Sequence, residues 1–192
     1  PKGWEGYQAL ASYDRDEWFR VDTQFDGDEL TIDMTPEYEV MYFAYFIPYS
    51  YDRYLNLLAS AQTSFDCQHE TVDGRDVSML VIGDPHSDET KLNIWVTARQ
   101  HPGESMASWC VEGLIERLLD ENDGLSRDLL NHAVFYIVPN MNPDGSVRGH
   151  LRTNAVGVNL NREWQTPSLE TSPEVYHVLH KMRETGVDMY LD

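Results

Sequence analysis

An imidazole and a carboxylate stand three residues apart in Arg99-Gln100-His101-Pro102-Gly103-Glu104, on either side of a Pro-Gly turn. Zinc accepts imidazole nitrogen and carboxylate oxygen at about 2.0 to 2.2 Å, so a turn this short lets His101 and Glu104 reach one ion. Taken alone, the pair also reads as a solvated loop histidine and an acid favoured by the dipole at a helix start. A second polar cluster, Asn140-Met141-Asn142-Pro143-Asp144-Gly145, has the composition of a turn. Downstream, Arg148, His150, Arg152 and Arg162 fall within fifteen residues of an otherwise acidic chain. A planar guanidinium fork matches a carboxylate, so a basic cluster beside a candidate metal site points to an anionic ligand group. The alternative is surface arginines paired with neighbouring acids.

These clusters need a framework, and the hydrophobic pattern supplies one. From Pro48 onward strands and helices alternate. Ser50 is a plausible N-cap for a helix near residues 51 to 62, with Tyr54, Leu57, Leu58 and Ala61 on one face. Val77 to Ile82, Leu92 to Ala98, Ala133 to Val138 and Val187 to Leu191 read as strands. A helix is predicted near 105 to 120, with Met106, Trp109, Cys110, Leu114 and Leu118 as its apolar row. Another starts at Ser172-Pro173, buries Val175, Val178, Leu179 and Met182, and stops at Gly186. His177 and His180 point away from that stripe and read as solvated. Alternation of this kind predicts an α/β sheet with helices on its faces, and the polar clusters then fall at the carboxyl ends of strands, where such sheets bind ligands. The first 47 residues differ: Leu30, Ile32 and Met34 alternate with polar residues, Tyr42 to Ile47 is a second apolar run, and Tyr7, Tyr13, Trp18 and Phe19 fit short strands. That region reads as all-β with no helical segment.

The 192 residues are 41% hydrophobic and 11% aromatic, enough to build a core. Lys and Arg number 14 against 33 Asp and Glu, a net charge of −19. Such a chain repels phosphate backbones and anionic bilayers, which argues against nucleic acid and membrane as partners. No apolar run approaches the roughly 18 residues that span a bilayer. Two cysteines are too few for a disulfide scaffold or a thiolate zinc site, and their scarcity fits a reducing compartment. Cys110 reads as an inert core thiol, while Cys67 carries no reading. The chain opens on Pro1-Lys2-Gly3 and closes in a strand, so both ends read as cut.

Four motifs in order carry a family resemblance. Arg99-Gln100-His101-Pro102-Gly103-Glu104-Ser105 resembles the first zinc-ligand motif of the M14 metallocarboxypeptidases, in the form used by the cytosolic carboxypeptidase subfamily. Val138-Pro139-Asn140-Met141-Asn142-Pro143-Asp144-Gly145 resembles the next motif, and Leu160-Asn161-Arg162-Glu163-Trp164 the Asn-Arg motif that follows. Tyr42 to Tyr51 resembles the junction between the subfamily's N-terminal β-sandwich and its catalytic domain. The sequence is thus similar to a bacterial-type member over nearly its whole length. The resemblance implies a mixed β-sheet of carboxypeptidase type with helices on both faces, present as its N-terminal half in residues 48–192. It implies part of a β-sandwich domain in residues 1–47.

Roles follow by resemblance, position by position. His101 and Glu104 are implied as two of three protein ligands to one catalytic Zn2+. Arg152 is implied to polarise the scissile carbonyl and stabilise the oxyanion. Asn161 and Arg162 are implied to hold the substrate's C-terminal carboxylate. His150 either lines the groove beside Arg152 or is a loop histidine, and Trp164 packs behind Arg162. The third ligand, a His, is expected just after Asp192, with the general-base Glu and a pocket Tyr later still; the 192 residues alone are therefore expected not to form a working enzyme. Asn159 stands where many carboxypeptidases have an Asp bonded to the first ligand His, and it brings no charge there. The implied activity is hydrolysis of C-terminal peptide bonds on peptides or proteins by a cytoplasmic hydrolase, in a subfamily some of whose members remove C-terminal or side-chain glutamates. Two other readings stay open: an N-acyl amino acid deacylase of the same superfamily, or an acidic interaction module without catalysis. Side-chain preference and oligomeric state are not readable.

Overall fold

A computed structural model describes residues 2–61 and 64–192, with the side chains of 3–61 and 70–192. Residue 62, the last position of the predicted first helix, lies outside the described residues. Residues up to Pro48 form one compact unit and Tyr49–Asp192 a second.

In the first unit a 3-10 turn at Lys2–Trp4 precedes β1 (Leu10–Ser12), β2 (Phe19–Arg20), β3 (Thr23–Phe25), β4 (Leu30–Ile32) and β5 (Tyr42–Ala44). β1 pairs antiparallel with both β2 and β5, and β3 with β4 forms a hairpin. Ala9, Ala11 and Val21 are buried against Tyr7, Ile32, Met34 and Met41. The Leu30-Thr31-Ile32 alternation does its work here, turning Thr31 outward and its neighbours inward. The short 3-10 turn departs from the reading of this region as free of helical segments.

The second unit holds α1 (Tyr51–Ala61), β6 (Ser64–Glu70), β7 (Asp76–Ile82), β8 (Leu92–Thr97), α2 (Ser105–Leu118), α3 (Gly124–His132), β9 (Ala133–Val138), α4 (Pro143–Arg148), α5 (Pro173–Thr185) and β10 (Met189–Leu191). The sheet runs β10-β8-β9-β7-β6. β10, β8 and β9 are parallel, while β7 and β6 are antiparallel to their neighbours. Period-two alternation sorts the central strands between two cores. Leu80, Ile82, Val96, Phe135 and Ile137 pack under α1 and α2, through Leu57, Ala61, Val111, Ile115 and Leu118. Val77, Met79, Val81, Trp95, Tyr136 and Val138 face Val175, Val178 and Met182 of α5. Trp95 and Tyr136 stack with centroids 5.1 Å apart. Each large apolar side chain removed from water here contributes roughly 1.5 to 3 kcal/mol. The fold is mixed α/β with helices on both faces, as expected.

Caps behave as the residue types dictate. Ser50 Oγ accepts from Arg53 N at 3.1 Å at the start of α1. Pro173 opens α5 and Gly186 follows its end. Ser172 precedes α5, but its hydroxyl accepts from Ser168 N at 3.1 Å instead of capping the helix. β6 and α3 had no counterpart in the sequence reading. α2 buries Ser105, Ser108, Val111, Glu112, Ile115 and Leu118, so only the Leu114 and Leu118 end of the expected apolar row packs on the core. Met106 and Cys110 are exposed, so Cys110 is not a core thiol. The apolar row was misread because a glutamate sits in the true one. Glu112 is neutralised by Arg53, whose Nε lies 3.0 Å from Oε2, and it accepts from Tyr49 Oη. The Arg53 guanidinium holds its carboxyl below the usual range.

Candidate active site

Ala98, one residue past β8, still bonds to the β9 side, its N donating to Val138 O at 3.0 Å and its O accepting from Met141 N at 2.9 Å. Beyond that point both chains turn away, which places the two polar clusters side by side. Arg99 takes a left-handed φ of 53°, a conformation costing a non-glycine residue about 1–2 kcal/mol. Its buried guanidinium offsets this by bracing the turn: Nε donates to Pro102 O at 3.1 Å and Nη1 to Tyr49 O at 2.7 Å. Desolvation pushes the Arg99 pKa down. Two glycines are steric necessities. A Cβ on Gly103 would lie 2.9 Å from Leu151 O, and one on Gly145 would lie 2.4 Å from Thr153 O.

The Asn142-Pro143-Asp144-Gly145 segment, read as a turn, starts α4. Asn142 Oδ1 caps it by accepting from Gly145 N at 3.0 Å, with Pro143 in the first helical turn. Asp144 is fully buried, accepting from Thr71 Oγ1 and Arg75 Nη1, each at 2.8 Å, and from Asp73 N at 2.9 Å.

His101 and Glu104 converge. His101 is 6% exposed, and its Nδ1 lies 3.1 Å from Glu104 Oε2. Two ligands on a tetrahedral zinc sit roughly 3.4 Å apart, so the pair fits the metal that the resemblance implies. The far side of the ring fits too: Nε2 lies 3.2 Å from Asn159 Oδ1, the outer partner that fixes a ligand imidazole. Among the described residues no third His, Cys, Asp or Glu joins them. Arg152 contacts both residues, with Nη1 3.2 Å from Glu104 Oε1 and Nη2 2.9 Å from His101 Nε2.

Asn161 and Arg162 belong to a second cluster, joined to the first through Asn159. With Trp164, Gln165, Tyr190 and Asp192 they line an open cleft of about 550 Å³. A 3-10 turn at Leu160–Arg162 carries them, anchored by Leu160, which is fully buried, and capped by Asn159 Oδ1 accepting from Asn161 N at 3.1 Å. Asn159 therefore touches both the imidazole and the turn that carries Asn161 and Arg162. No carboxylate pairs with Arg162 among the described residues. His150 is turned to the backbone, its Nδ1 3.0 Å from Asn154 O. Arg148 is tied to Asp73 at 2.6 Å, the ordinary surface pairing. His180 faces Glu184 on the exposed side of α5.

Sequence reasoning missed Gln100, Tyr190 and Asp192. Gln100 Oε1 accepts from Trp164 Nε1 at 2.6 Å, and its Nε2 donates to Asp192 Oδ2 at 3.0 Å. Thr97 Oγ1 donates to Asp192 Oδ1 at 2.8 Å. Trp164 thus braces the Asn-Arg turn against the ends of β8 and β10. The one sequence signal was position: Gln100 adjoins His101, and Asp192 ends a strand.

The sheet order, the helices on both faces and the polar strand ends are the architecture of mixed α/β metallopeptidases. The zinc carboxypeptidase (peptidase M14) profile matches residues 50–186, and the cytosolic carboxypeptidase N-terminal domain profile matches residues 1–46. The chain belongs to the M14 zinc carboxypeptidase family. A metallo-carboxypeptidase of Burkholderia cenocepacia is 51% identical with a TM-score of 0.94, covering 99% of this chain and 52% of its own. One from Pseudomonas aeruginosa, solved with (2-guanidinoethylmercapto)succinic acid, is 47% identical with a TM-score of 0.92, covering 98% and 51%. Mouse cytosolic carboxypeptidase 1 is 36% identical over 165 residues, 77% of this chain and 14% of that protein. An uncharacterized Zymomonas mobilis protein is 48% identical over 196 residues, 100% of this chain and 50% of its own. The chain thus spans about half the length of these bacterial relatives. Among the described residues no helix is long and apolar enough to cross a membrane.

Proposed function

We propose that the protein is a zinc-dependent metallocarboxypeptidase that removes C-terminal residues from peptides or proteins, with His101 and Glu104 as metal ligands. The observation that carries this reading is that His101 Nδ1 and Glu104 Oε2 converge, with the Arg152 guanidinium against both residues through His101 Nε2 and Glu104 Oε1. Zinc, when bound, supplies Lewis acidity and a water whose pKa falls to about 7. The chain's own residues do the rest. Arg152 faces the place where carbonyl oxygen gains charge, and preorganised charge of this kind is worth most in the transition state. Arg162 and Asn161 hold the substrate carboxylate, as a pair of donors in an open cleft. His101 holds its proton on Nε2 when Nδ1 is a ligand; it then donates to Asn159 and releases Arg152, whose guanidinium can only donate.

The division at Pro48 supports an N-terminal β-sandwich part in residues 1–47 and the N-terminal half of a catalytic domain in 48–192. The succinic acid ligand of the Pseudomonas relative carries two carboxylates, which supports an anion-binding cleft. The named cytosolic relatives support a cytoplasmic location. Removal of C-terminal glutamates is the finer reading to test. In the full-length protein, peptides with a free C-terminus should be trimmed and their amidated counterparts spared, with activity lost on chelation and regained with zinc. Equal rates on amidated peptides would overturn the carboxylate clamp. Deacylation of N-acyl amino acids without peptide trimming would replace the peptidase reading with a deacylase.

A further inference from the structure

Arg152 lies on a loop with two anchors. On one side Leu151 O accepts from Gly103 N at 2.9 Å, tying the loop to the turn between His101 and Glu104. On the other side stands Asn154, which is fully buried. Its Oδ1 accepts from Val156 N at 3.2 Å and Val158 N at 3.1 Å, and its own N donates to Val158 O at 2.9 Å. These bonds shape the loop but do not attach it to anything. Attachment comes from Nδ2, which donates to Thr171 O at 2.9 Å and lies 3.4 Å from each oxygen of Glu174. Glu174 is in the first turn of α5, packed into the second core, and fully buried. A carboxyl taken wholly out of water is expensive to keep unless it meets donors. Among the described residues the side chain that meets it is Asn154. It belongs to neither the metal pair nor the carboxylate cleft.

We propose that Glu174 is a positioning residue for the reaction: its buried carboxyl holds Asn154, and Asn154 fixes the loop that aims Arg152 at His101 and Glu104. This rests on the role given to Arg152 above. Without Glu174, Leu151 still pins one end of the loop and Asn154 Nδ2 keeps its bond to Thr171 O. The buried acceptor that fixes the Asn154 amide is gone, so the end two residues from Arg152 is held by one bond alone. A guanidinium displaced by about 1 Å from a reacting carbonyl loses up to about 100-fold in rate. Because the contact matters as charge develops, the loss should fall on kcat and leave KM nearly unchanged.

The test uses the full-length enzyme with a peptide substrate, and compares Arg152→Ala, Glu174→Ala, Glu174→Gln, Asn154→Ala and Asn154→Asp. Glu174→Ala and Asn154→Ala should each lower kcat on the order of 10- to 100-fold, with zinc content unchanged and KM within about twofold. Glu174→Gln keeps an acceptor oxygen at the same place and should restore most of the loss. The double Ala variant should be no worse than Asn154→Ala alone, since that variant already removes the contact with Glu174. Hydrogen exchange at Val156 and Val158 should quicken in Glu174→Ala, while amides of β9 keep their protection. If Glu174→Ala does not fold, Asn154→Asp carries the test: it keeps Oδ1 for the loop, loses the donor to Glu174 and Thr171 O, and should show a kcat loss at least as large. If Arg152→Ala lowers kcat while Glu174→Ala or Asn154→Asp leaves it at the wild-type value, the positioning role is wrong and the peptidase reading stands. If Arg152→Ala itself leaves kcat unchanged, both fail.

Discussion

His101 is the residue on which the site turns, because its two nitrogens face different partners. Nδ1 looks toward Glu104, while Nε2 has both Asn159 and Arg152 within hydrogen-bond distance. One ring nitrogen cannot donate to Asn159 Oδ1 and accept from Arg152 at once, so the ring's tautomer decides which contact is made. Asn159→Asp puts a charge behind the imidazole and should tighten zinc binding; Asn159→Ala should weaken it by roughly 10- to 100-fold. Competition with a chromophoric chelator measures both, and unchanged affinity in the Ala variant would remove Asn159 from the metal site. The two arginines should part company in kinetics. Arg162→Ala removes a charge-assisted contact of roughly 1.5 to 3 kcal/mol and should raise KM about 10- to 100-fold. Arg152→Ala should lower kcat instead. A KM effect in both would place them in one clamp.

Elements meet at the strand ends through close backbone approach, and glycine is what permits it. Gly145, in the first turn of α4, lies where a Cβ would be 2.4 Å from Thr153 O and 2.5 Å from Pro102 Cγ. One helix start, one loop and one turn share that point, so none of them can retreat alone. Gly145→Ala should destabilise the fold by roughly 2 to 4 kcal/mol, read as a lower urea midpoint. Gly113→Ala makes a control, since a Cβ there has nothing within 4 Å, and should be neutral or slightly stabilising. The buried acid of α5 adds a pH dependence. Burial pushes the Glu174 carboxyl from 4.5 to about 7, Asp144 on α4 acting in the same direction, while its own backbone amide and Asn154 pull it down. A carboxyl raised in the folded state holds its proton longer than in the unfolded chain. Its contribution is therefore intact below pH 4.5 and lost as pH rises through 7. Against Glu174→Gln, which does not titrate, the wild type should lose roughly 3 kcal/mol of relative stability across that window. A constant difference from pH 4 to 8 would show that the carboxyl is not strained by burial.

For the whole molecule the dominant quantity is charge. Residues 1–48 carry eleven acids and three bases, so both units contribute to the total of −19. A peptide approaching by its C-terminal carboxylate meets a repulsive field until Arg162 and Arg152 come within reach. Salt screens that field over about 10 Å at 0.1 M while leaving close contacts in the cleft largely intact. kcat/KM for an acidic peptide should therefore rise several-fold between about 10 and 150 mM salt, and less for a neutral one. A fall for both would mean that the local arginines outweigh the net charge at range.

What the sequence settled by itself was local or periodic. His101 and Glu104 share one turn, so their spacing limits how far apart they can lie. The two-residue alternation in β7 and β9 assigned each side chain to a core, and Pro173 and Gly186 bounded α5. The family resemblance then named Arg152, Asn161 and Arg162, and the first of these lies within hydrogen-bond distance of His101 and Glu104. Tertiary structure decided where polar residues go inside. Glu112, Asp144 and Glu174 are buried because partners 59, 69 and 20 residues away satisfy them. A hydrophobicity pattern marks such residues as surface, which is why α2 was read with part of its face wrong and Asp144 as a loop residue. The same blindness hid Gln100, whose two amide ends join Trp164 to Asp192. Spacing constrains only what the chain's own geometry keeps together, and these contacts exist because packing brings distant segments close.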